Sequence, residues 1–357
     1  IGCKGCSKDC PSEVDLAKMK VEVANEYHQR HGSSLRDKLF ANIDALNALG
    51  SALAPLSNWA AKVPGSRAIM EKTIGIAKDR SLPTFHSETF VDWFENRGGA
   101  RVSEREADHK VLLFPDTYTT YNAPAAGKAA VRVLEAANVH VEIPDDVTGS
   151  GRPPFSKGFL DLARDQAATN VEALAPRVRD GWDVVVVEPS DAVMFQSDYL
   201  DLLSGEDGEG ARSSGSRTLS DDVETVAANS YGIMEYLDAH RLDESLDADA
   251  PATTLTYHGH CHQKATKKDH HAVGVLRRAG YAVDPLDSGC CGMSGSFGYE
   301  AEHFSMSKAI GSILFDQVDD SPGDRVVAPG ASCRTQLGDH YDEKPPTPVE
   351  ALAEALV

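Results

Sequence analysis

The stretches HGHCHQKA (258–265), DSGCCGMSGSFGYE (287–300) and VVAPGASCRTQ (326–336) decide the fold of the C-terminal third of the chain. Each is associated with a short apolar run typical of a β-strand, and these runs are Leu255–Tyr257, Tyr281–Val283 and Val326–Val327. Cysteines just beyond strand ends, with glycines beside them, converge above one edge of a sheet. The stretches contain Cys261, Cys290, Cys291 and Cys333. Four converging thiolates hold an iron–sulphur cluster or a zinc ion.

The other three cysteines open the chain, in IGCKGCSKDCPSEVD (1–15). The bacterial ferredoxin motif is C-x2-C-x2-C-x3-C-P, and Cys3, Cys6 and Cys10 match its last three cysteines. The first cysteine of the motif would precede Ile1, so we expect a piece of a longer polypeptide that is cut within a cluster site. The trailing cysteine of such a motif ligates the other cluster of a two-cluster ferredoxin. Cys3 and Cys6 are therefore expected to share one cluster and Cys10 to serve another, with a zinc knuckle as the alternative.

Composition excludes several classes of function. The 357 residues carry a formal charge of −20, with 41% hydrophobic and 25% charged residues. Such a charge disfavours nucleic acid and anionic membrane surfaces as partners. No apolar run approaches the roughly 20 residues that span a bilayer, and no signal peptide is recognisable. The uneven cysteines argue against disulfides, so we expect a cytoplasmic protein. Abundant Asp with sparse Lys suggests a halophile.

The chain divides into a helical part and a part where strands alternate with helices. Leu16, Met19, Val23 and Tyr27 recur at helical spacing, and a similar pattern runs through 35–46. From about residue 111, strand-like runs alternate with helical ones. We therefore predict an α/β protein that begins with an all-α segment. The predicted domains are a helical ferredoxin-like segment (1–105), a cysteine-free repeat (106–205), a linker and helix (206–250) and a cluster-binding repeat (251–357).

The α/β part repeats itself. VLLFPDTYTTYN (111–122), VHVEIPDDVTGSGRPPFSKGF (139–159) and VVVVEPSDAVMFQSDY (184–199) parallel the three cysteine-bearing segments in order. The superposition sets Thr117 against Cys261, Ser150 against Cys291 and Asp191 against Cys333. We predict a pseudo-twofold pair of repeats in which only the second has thiols. The Gly/Ser/Asp-rich segment Ser204–Asp222 is predicted to be a surface loop.

Polar residues around the second cysteine group leave several roles open. The histidines could ligate metal, relay protons or only pack, and they are His258, His260, His262, His270 and His271. Arg334 is expected to neutralise cluster charge or to bind a substrate carboxylate, and His260 and His262 are the other candidate substrate-side residues. The basic group Lys264, Lys267 and Lys268 is either a docking spot or a solvated helix face. No GxGxxG, P-loop or HExxH motif occurs, so the pattern favours electron transfer over substrate oxidation.

Seven runs together resemble one known family. They are CKGCSKDCPSEVDLAKMK (3–20), FPDTYTTYNAP (114–124), GRPPFSKGFL (151–160), GHCHQKA (259–265), GCCGMSGSFGYE (289–300), PGASCRTQ (329–336) and PVEALAEAL (348–356). The chain resembles the iron–sulphur half of fused FAD- and 4Fe-4S-dependent D-2-hydroxyacid dehydrogenases. The bacterial D-2-hydroxyglutarate type resembles it most, with FAD-linked D-lactate dehydrogenases near it.

This resemblance implies a helical ferredoxin segment followed by two cysteine-rich repeats of the CCG type. It implies 4Fe-4S clusters on Cys3, Cys6, Cys10, Cys261, Cys290, Cys291 and Cys333. It also implies an upstream FAD domain that accepts a hydride from the substrate, and a quinone or carrier protein that accepts the electrons. The first repeat of the family is often degenerate, in keeping with Ser150 and Asp191. The oligomeric state is left open.

Three alternatives accompany this expectation. The chain could be a separate iron–sulphur subunit that delivers electrons to a membrane quinone, as in glycerol-3-phosphate, glycolate and lactate systems. That role would place it at the inner face of the membrane. A thiol–disulfide reductase would need a further cysteine near Cys333, and the sequence has none there. The last alternative is a zinc scaffold.

Overall fold

The computed structural model describes residues 2–6, 10–12, 14–204 and 219–357 of the chain. The helices before the first strand are α1 (Leu16–His31), α2 (Leu35–Ala41), α3 (Ile43–Ala52), α4 (Leu56–Lys62), α5 (Ser66–Ile74) and α6 (Phe90–Asn96). The first α/β unit contains β1 (His109–Leu113), α7 (Thr117–Tyr121), α8 (Pro124–Ala136), β2 (Val139–Glu142), α9 (Arg152–Ser156), α10 (Leu160–Arg179), β3 (Asp183–Val186), α11 (Pro189–Val193), a π-helix (Met194–Asp198), α12 (Tyr199–Leu203), α13 (Leu219–Ala228), β4 (Ser230–Gly232) and α14 (Ile233–Ala239). The second contains β5 (Thr254–Tyr257), α15 (Cys261–Ala265), α16 (His270–Arg278), β6 (Ala282–Pro285), α17 (Phe304–Asp319), β7 (Arg325–Val327), α18 (Ala331–Tyr341) and α19 (Pro348–Glu354).

The N-terminal helices form where the apolar spacing predicts them, but their packing differs from the prediction. Helix α1 begins at Asp15, whose carboxylate accepts hydrogen bonds from two backbone N–H groups of the first turn. The apolar stripe of α1 is exposed: Met19 and Val23 keep 56% and 70% of their surface accessible. Val21 is the buried residue of this helix. The predicted helix through 35–46 is two helices, which meet at Asn42.

The first sheet is parallel, with the strand order β2-β1-β3-β4. In the central strand, Val111 pairs with Val141 on one side and with Asp183 on the other. Its apolar residues are fully buried, as expected for parallel strands covered by helices on both faces. Strand β4 pairs with β3 and lies in the segment 206–250 that was predicted to be linker and helix. That part of the prediction is wrong, because α13, β4 and α14 complete the first unit.

The second sheet is also parallel and has the order β6-β5-β7. Its three strands coincide within two residues with those expected from the sequence. The strand order second–first–third therefore occurs in both sheets. One continuous apolar core joins the sheets, since Val111 and Leu113 of β1 belong to the same buried cluster as Leu255 and Tyr257 of β5.

The predicted surface loop Ser204–Asp222 lies mostly outside the described residues. Its last residues belong to α13, which begins at Leu219, so the loop was predicted to end too late. In the described part of the chain, no helix combines the length and the apolar character needed to cross a bilayer. An α/β architecture preceded by helices is thus confirmed, whereas the ferredoxin character of the N-terminal segment stays a prediction.

Candidate metal centre

The four C-terminal cysteines lie at the carboxyl ends of three neighbouring parallel strands. Cys261 is the first residue of α15, which follows β5, and Cys333 lies in the first turn of α18, which follows β7. Cys290 and Cys291 lie in the loop after β6. Gly292 has a φ of +91°, in the left-handed region that favours glycine. A Cβ at this position would lie 2.2 Å from the carbonyl oxygen of Ser307, so the loop turns against α17.

The sulphur atoms contact one another in a chain. Cys290 shares a hydrogen bond with Cys291, and Cys291 shares one with Cys333. Backbone N–H groups also point at the sulphurs: Gly292 N lies 3.3 Å from Cys290 Sγ. The N–H groups of His262 and Met293 likewise donate to Cys261 and Cys291. Such donors stabilise negative charge on thiolates and bridging sulphides.

The surroundings keep these thiols protonated unless a metal replaces the proton. The hydrogen bond with Cys291 raises the pKa of Cys290 to about 12. Burial, followed by the neighbouring thiols Cys290 and Cys291, raises the pKa of Cys261 well above its ordinary value. A group of desolvated, mutually repelling thiolates exists only when a cation holds it together, so metal binding and deprotonation are coupled here.

The spacing of the sulphurs fits a cluster better than a single zinc ion. Zn–S bonds of about 2.3 Å in a tetrahedron set sulphurs about 3.8 Å apart. Among the described residues, no three cysteine sulphurs lie mutually within 4.8 Å. The wall around Cys291 and Cys333 is apolar and includes the buried Met293 and Leu337. Four cysteines on a wide, dry base are the donor set of an iron–sulphur cluster.

The histidines beside Cys261 are buried and neutral. Burial lowers the pKa of His258 and that of His260 to about 3. His258 Nδ1 lies 2.6 Å from Ser288 Oγ, and His260 Nδ1 accepts a hydrogen bond from the N–H of His262 at the start of α15. His262 Nε2 lies 3.3 Å from the carbonyl oxygen of Gly2. These contacts give the three rings packing and positioning tasks at the centre.

The remaining basic residues have structural partners. Arg334 Nε donates to the carbonyl oxygen of Pro345 at 2.7 Å, and its guanidinium pairs with Glu350 at 3.3 Å. It therefore fastens the C-terminal segment instead of meeting a substrate carboxylate. The ammonium group of Lys264 is buried against the Ser288 carbonyl oxygen at 2.5 Å, which removes it from the predicted basic surface spot. Lys268 pairs with Glu235 of α14 at 2.6 Å.

The N-terminal cysteines are not all together. The thiol of Cys3 is hydrogen-bonded to Cys290 of the second group. Cys6 is exposed and Cys10 is half-buried, and the Cys10 N–H donates to the Cys6 carbonyl oxygen at 3.0 Å. The assignment of Cys3 and Cys6 to one cluster and of Cys10 to another stays a prediction.

The residues aligned with the cysteines occupy corresponding places in the first unit. Thr117 is the first residue of α7 after β1, and Asp191 is the third residue of α11 after β3, as Cys333 is of α18. Ser150 Oγ donates to Asp191 Oδ1 at 2.9 Å, where the second unit has the Cys291–Cys333 contact. These correspondences favour the pseudo-twofold arrangement, which stays our proposal.

A cavity of about 330 Å³ opens beside the thiols. Its walls come from the N-terminal segment at 2–4, from the first unit at Arg152 and Glu188, and from the second unit at Cys261 and Cys291. Glu188 joins the two units, because its carboxylate accepts the N–H of Ala331 at 2.9 Å. Burial, and secondarily the nearby Asp116, raise the pKa of Glu188 to about 7.

Sequence reasoning missed three charged residues that shape this region. They are Lys4, Glu188 and Asp198. Asp198 is completely buried in the π-helix and binds Lys4 Nζ at 2.8 Å as well as the guanidinium of Arg152. Glu188 had a usable signal, since a lone carboxylate directly after four valines marks the end of a buried strand. Asp198 had none.

Comparison with known proteins identifies the class of the second unit. Residues 255–338 match the family model described as "CCG: Cysteine-rich domain". The matched range contains Cys261, Cys290, Cys291 and Cys333 and all three strands of the second sheet. The second unit is therefore a CCG cysteine-rich domain.

The relatives of the whole chain are parts of dehydrogenase systems. One subunit of the anaerobic glycerol-3-phosphate dehydrogenase from Escherichia coli (strain K12) is 28% identical over 97% of this chain and 83% of its own length. D-2-hydroxyglutarate dehydrogenase from the same organism is 25% identical over 100% of this chain, which spans only 34% of that protein. Lactate utilization protein A from Shouchella clausii (strain KSM-K16) is 22% identical over 69% of this chain and 98% of its own length.

Proposed function

We propose that this protein is an iron–sulphur electron-transfer module of a flavin-linked dehydrogenase. The observation that carries the proposal is the convergence of Cys261, Cys290, Cys291 and Cys333 beyond the ends of three parallel strands, with backbone N–H groups directed at their sulphurs. A site of this kind accepts and releases single electrons. Its relatives carry the names of dehydrogenases, which supplies the chemical context.

The residues of this chain have separate tasks in such a centre. The four thiolates would hold a 4Fe-4S cluster, which supplies one-electron redox chemistry when bound. The N–H groups of His262, Gly292 and Met293 stabilise the negative charge that each added electron brings. Buried apolar side chains behind the thiols exclude water, and this lowers the local dielectric constant and strengthens those interactions. In our proposal Cys3, Cys6 and Cys10 belong to ferredoxin-type clusters.

The flavin and the substrate belong to the rest of the dehydrogenase in this proposal. FAD on a further domain or on a partner subunit takes the hydride, and single electrons then pass through this chain to a quinone or a carrier protein. By resemblance we propose a D-2-hydroxyacid substrate, either D-2-hydroxyglutarate or D-lactate. We place the protein in the cytoplasm, at the inner membrane face if the acceptor is a quinone.

A separate iron–sulphur subunit is the second candidate. One observation favours it: the chain covers 83% of its relative in the glycerol-3-phosphate enzyme, a protein of comparable length, but only 34% of D-2-hydroxyglutarate dehydrogenase. In that case the flavin resides on another polypeptide, and the substrate is glycerol 3-phosphate, glycolate or lactate.

One experiment tests the proposal and separates its two forms. The full-length protein, purified anaerobically from cells, is assayed for iron, acid-labile sulphide, zinc and flavin. It is then mixed with D-2-hydroxyglutarate, D-lactate, glycolate and glycerol 3-phosphate in turn while the flavin and cluster absorbances are recorded. We expect iron and sulphide, with bleaching by one of these substrates. Stoichiometric zinc without iron would exclude an electron-transfer role, and iron with copurifying flavin on a second polypeptide would favour the two-polypeptide form.

A further inference from the structure

The first cysteine of the N-terminal group is held against the second-unit cysteines by its own backbone. The N–H of Gly2 donates to Ser294 Oγ at 2.7 Å, and the Gly2 carbonyl oxygen lies 3.3 Å from His262 Nε2. Ser294 follows the Cys290-Cys291 pair and His262 follows Cys261, so one residue of the N-terminal segment contacts both cysteine-bearing loops. The adjoining thiol of Cys3 is hydrogen-bonded to Cys290.

A second anchor fixes the other side of Cys3. Lys4 has a φ of +55°, in the left-handed region, and its side chain is almost completely buried. Its ammonium group lies 2.8 Å from Asp198 Oδ1 and 3.3 Å from Asp15 Oδ2. Asp198 belongs to the first unit and is fully buried. Cys3 is therefore clamped between a contact with the second unit at Gly2 and one with the first unit at Lys4.

We propose that the N-terminal cysteine segment docks on the second unit so that its cluster site and the CCG cluster site meet at Cys3 and Cys290. Ser294 and Asp198 are the positioning residues that hold this junction. The inference rests on the proposed function, since it needs clusters at both sites. Across the junction a single electron passes: the donor cluster is oxidised by one electron, the acceptor cluster is reduced by one, and no bond or proton changes place.

The contacts favour this arrangement over two independent cluster sites. Two clusters on separate surfaces would not require specific contacts on both sides of one cysteine. Here, bonds on both sides of Cys3 fix its position, and its thiol meets a ligand of the other site directly. A short through-contact path of this kind also predicts magnetic interaction between the two reduced clusters, which is measurable without any substrate.

The test uses the full-length protein, purified anaerobically and reduced with dithionite, in electron paramagnetic resonance. We expect the fully reduced protein to give a broadened spectrum that saturates at higher microwave power than the sum of the two half-reduced spectra. Ser294→Ala removes one partly exposed hydrogen bond and should lower the docked fraction about threefold, so that an uncoupled component appears while the iron content stays the same. Asp198→Asn should produce a larger uncoupled component.

Two controls make the result specific. Ser312→Ala removes a hydroxyl that donates to the Ala309 carbonyl oxygen on the exposed face of α17, and Asp201→Asn removes an exposed partner of Lys18. Both should leave the coupling unchanged. Iron and sulphide in place of coupling, with a fully reduced spectrum equal to the sum of its parts, would overturn the inference. Equal coupling in wild type and Ser294→Ala would overturn the role of that residue. A protein without iron would instead refute the proposed function.

Discussion

Replacing Asp198 by Asn should cause the largest loss of stability of any single charge change in this chain. The carboxylate is fully buried, binds the Arg152 guanidinium, and lies 2.8 Å from Lys4 Nζ and 3.4 Å from Lys18 Nζ. At an effective dielectric constant of about 20, a lysine at these distances contributes about 5–6 kcal/mol of Coulomb attraction. Most of this offsets the cost of removing the charges from water. Leaving the cations without their anion costs about 3–5 kcal/mol.

The pH dependence gives this prediction a second readout. Burial alone would raise the pKa of Asp198, but Arg152 and Lys4 lower it well below the ordinary range. A carboxyl with a depressed folded-state pKa stabilises the fold above its unfolded-state pKa, and this contribution is lost as the pH falls through the folded-state value. The difference between wild type and Asp198→Asn should therefore be full at about pH 7 and narrow below about pH 4.

Urea unfolding of the purified protein, followed by tryptophan fluorescence and circular dichroism, measures the effect. Asp201→Asn is the matched control, because its carboxylate is 60% exposed and pairs with Lys18 at the surface. Its loss should cost no more than about 0.5 kcal/mol. If Asp198→Asn unfolds at the same urea concentration as Asp201→Asn, the buried network does not hold the N-terminal segment.

Three further predictions concern the metal centre and its border. Cys333→Ser should remove the iron of the CCG site while far-ultraviolet circular dichroism stays unchanged; retained iron would exclude Cys333 as a ligand. Gly292→Ala places a methyl group 2.2 Å from a backbone oxygen at a φ of +91° and should cost more than about 2 kcal/mol and release iron. Gly295→Ala, with a φ of +65° and open space around it, should retain the iron. Glu188→Gln should gain up to about 3 kcal/mol relative to wild type as the pH rises from about 4 to about 8, because the raised pKa of Glu188 makes its ionisation cost stability over that range; a constant difference in urea titrations would contradict this.

The second unit was predictable because local signals coincide there. Leu255–Tyr257 and Val326–Val327 are apolar runs that end at glycine or at polar residues, and both are strands within one or two residues of the predicted bounds. Parallel strands place their carboxyl ends on one edge, so the convergence of the cysteines beyond those ends followed from the order of the elements alone.

The packing of α1 could not be predicted from its apolar pattern. The spacing of Met19 and Val23 correctly predicts a helix, but the buried face is the one with Val21 and Ala24. Gly158 explains the choice, because a Cβ there would lie 2.6 Å from the methyl group of Ala24. Close approach of two backbones selects small side chains over large ones, and a single sequence does not reveal which distant glycine will face a helix.

The contact between Lys4 and Asp198 accounts for the persistence of a first unit without thiols. The two residues are 194 positions apart and follow no periodic pattern, so only the folded chain brings them together. Asp198 is positioned by the π-helix that follows β3 and α11, the same strand–helix junction that carries Cys333 in the second unit. The first unit therefore contributes an anion where the second contributes a metal ligand. With its buried carboxylate it secures the segment that carries Cys3, and a domain without cysteines in this way helps to assemble the metal centre of its neighbour.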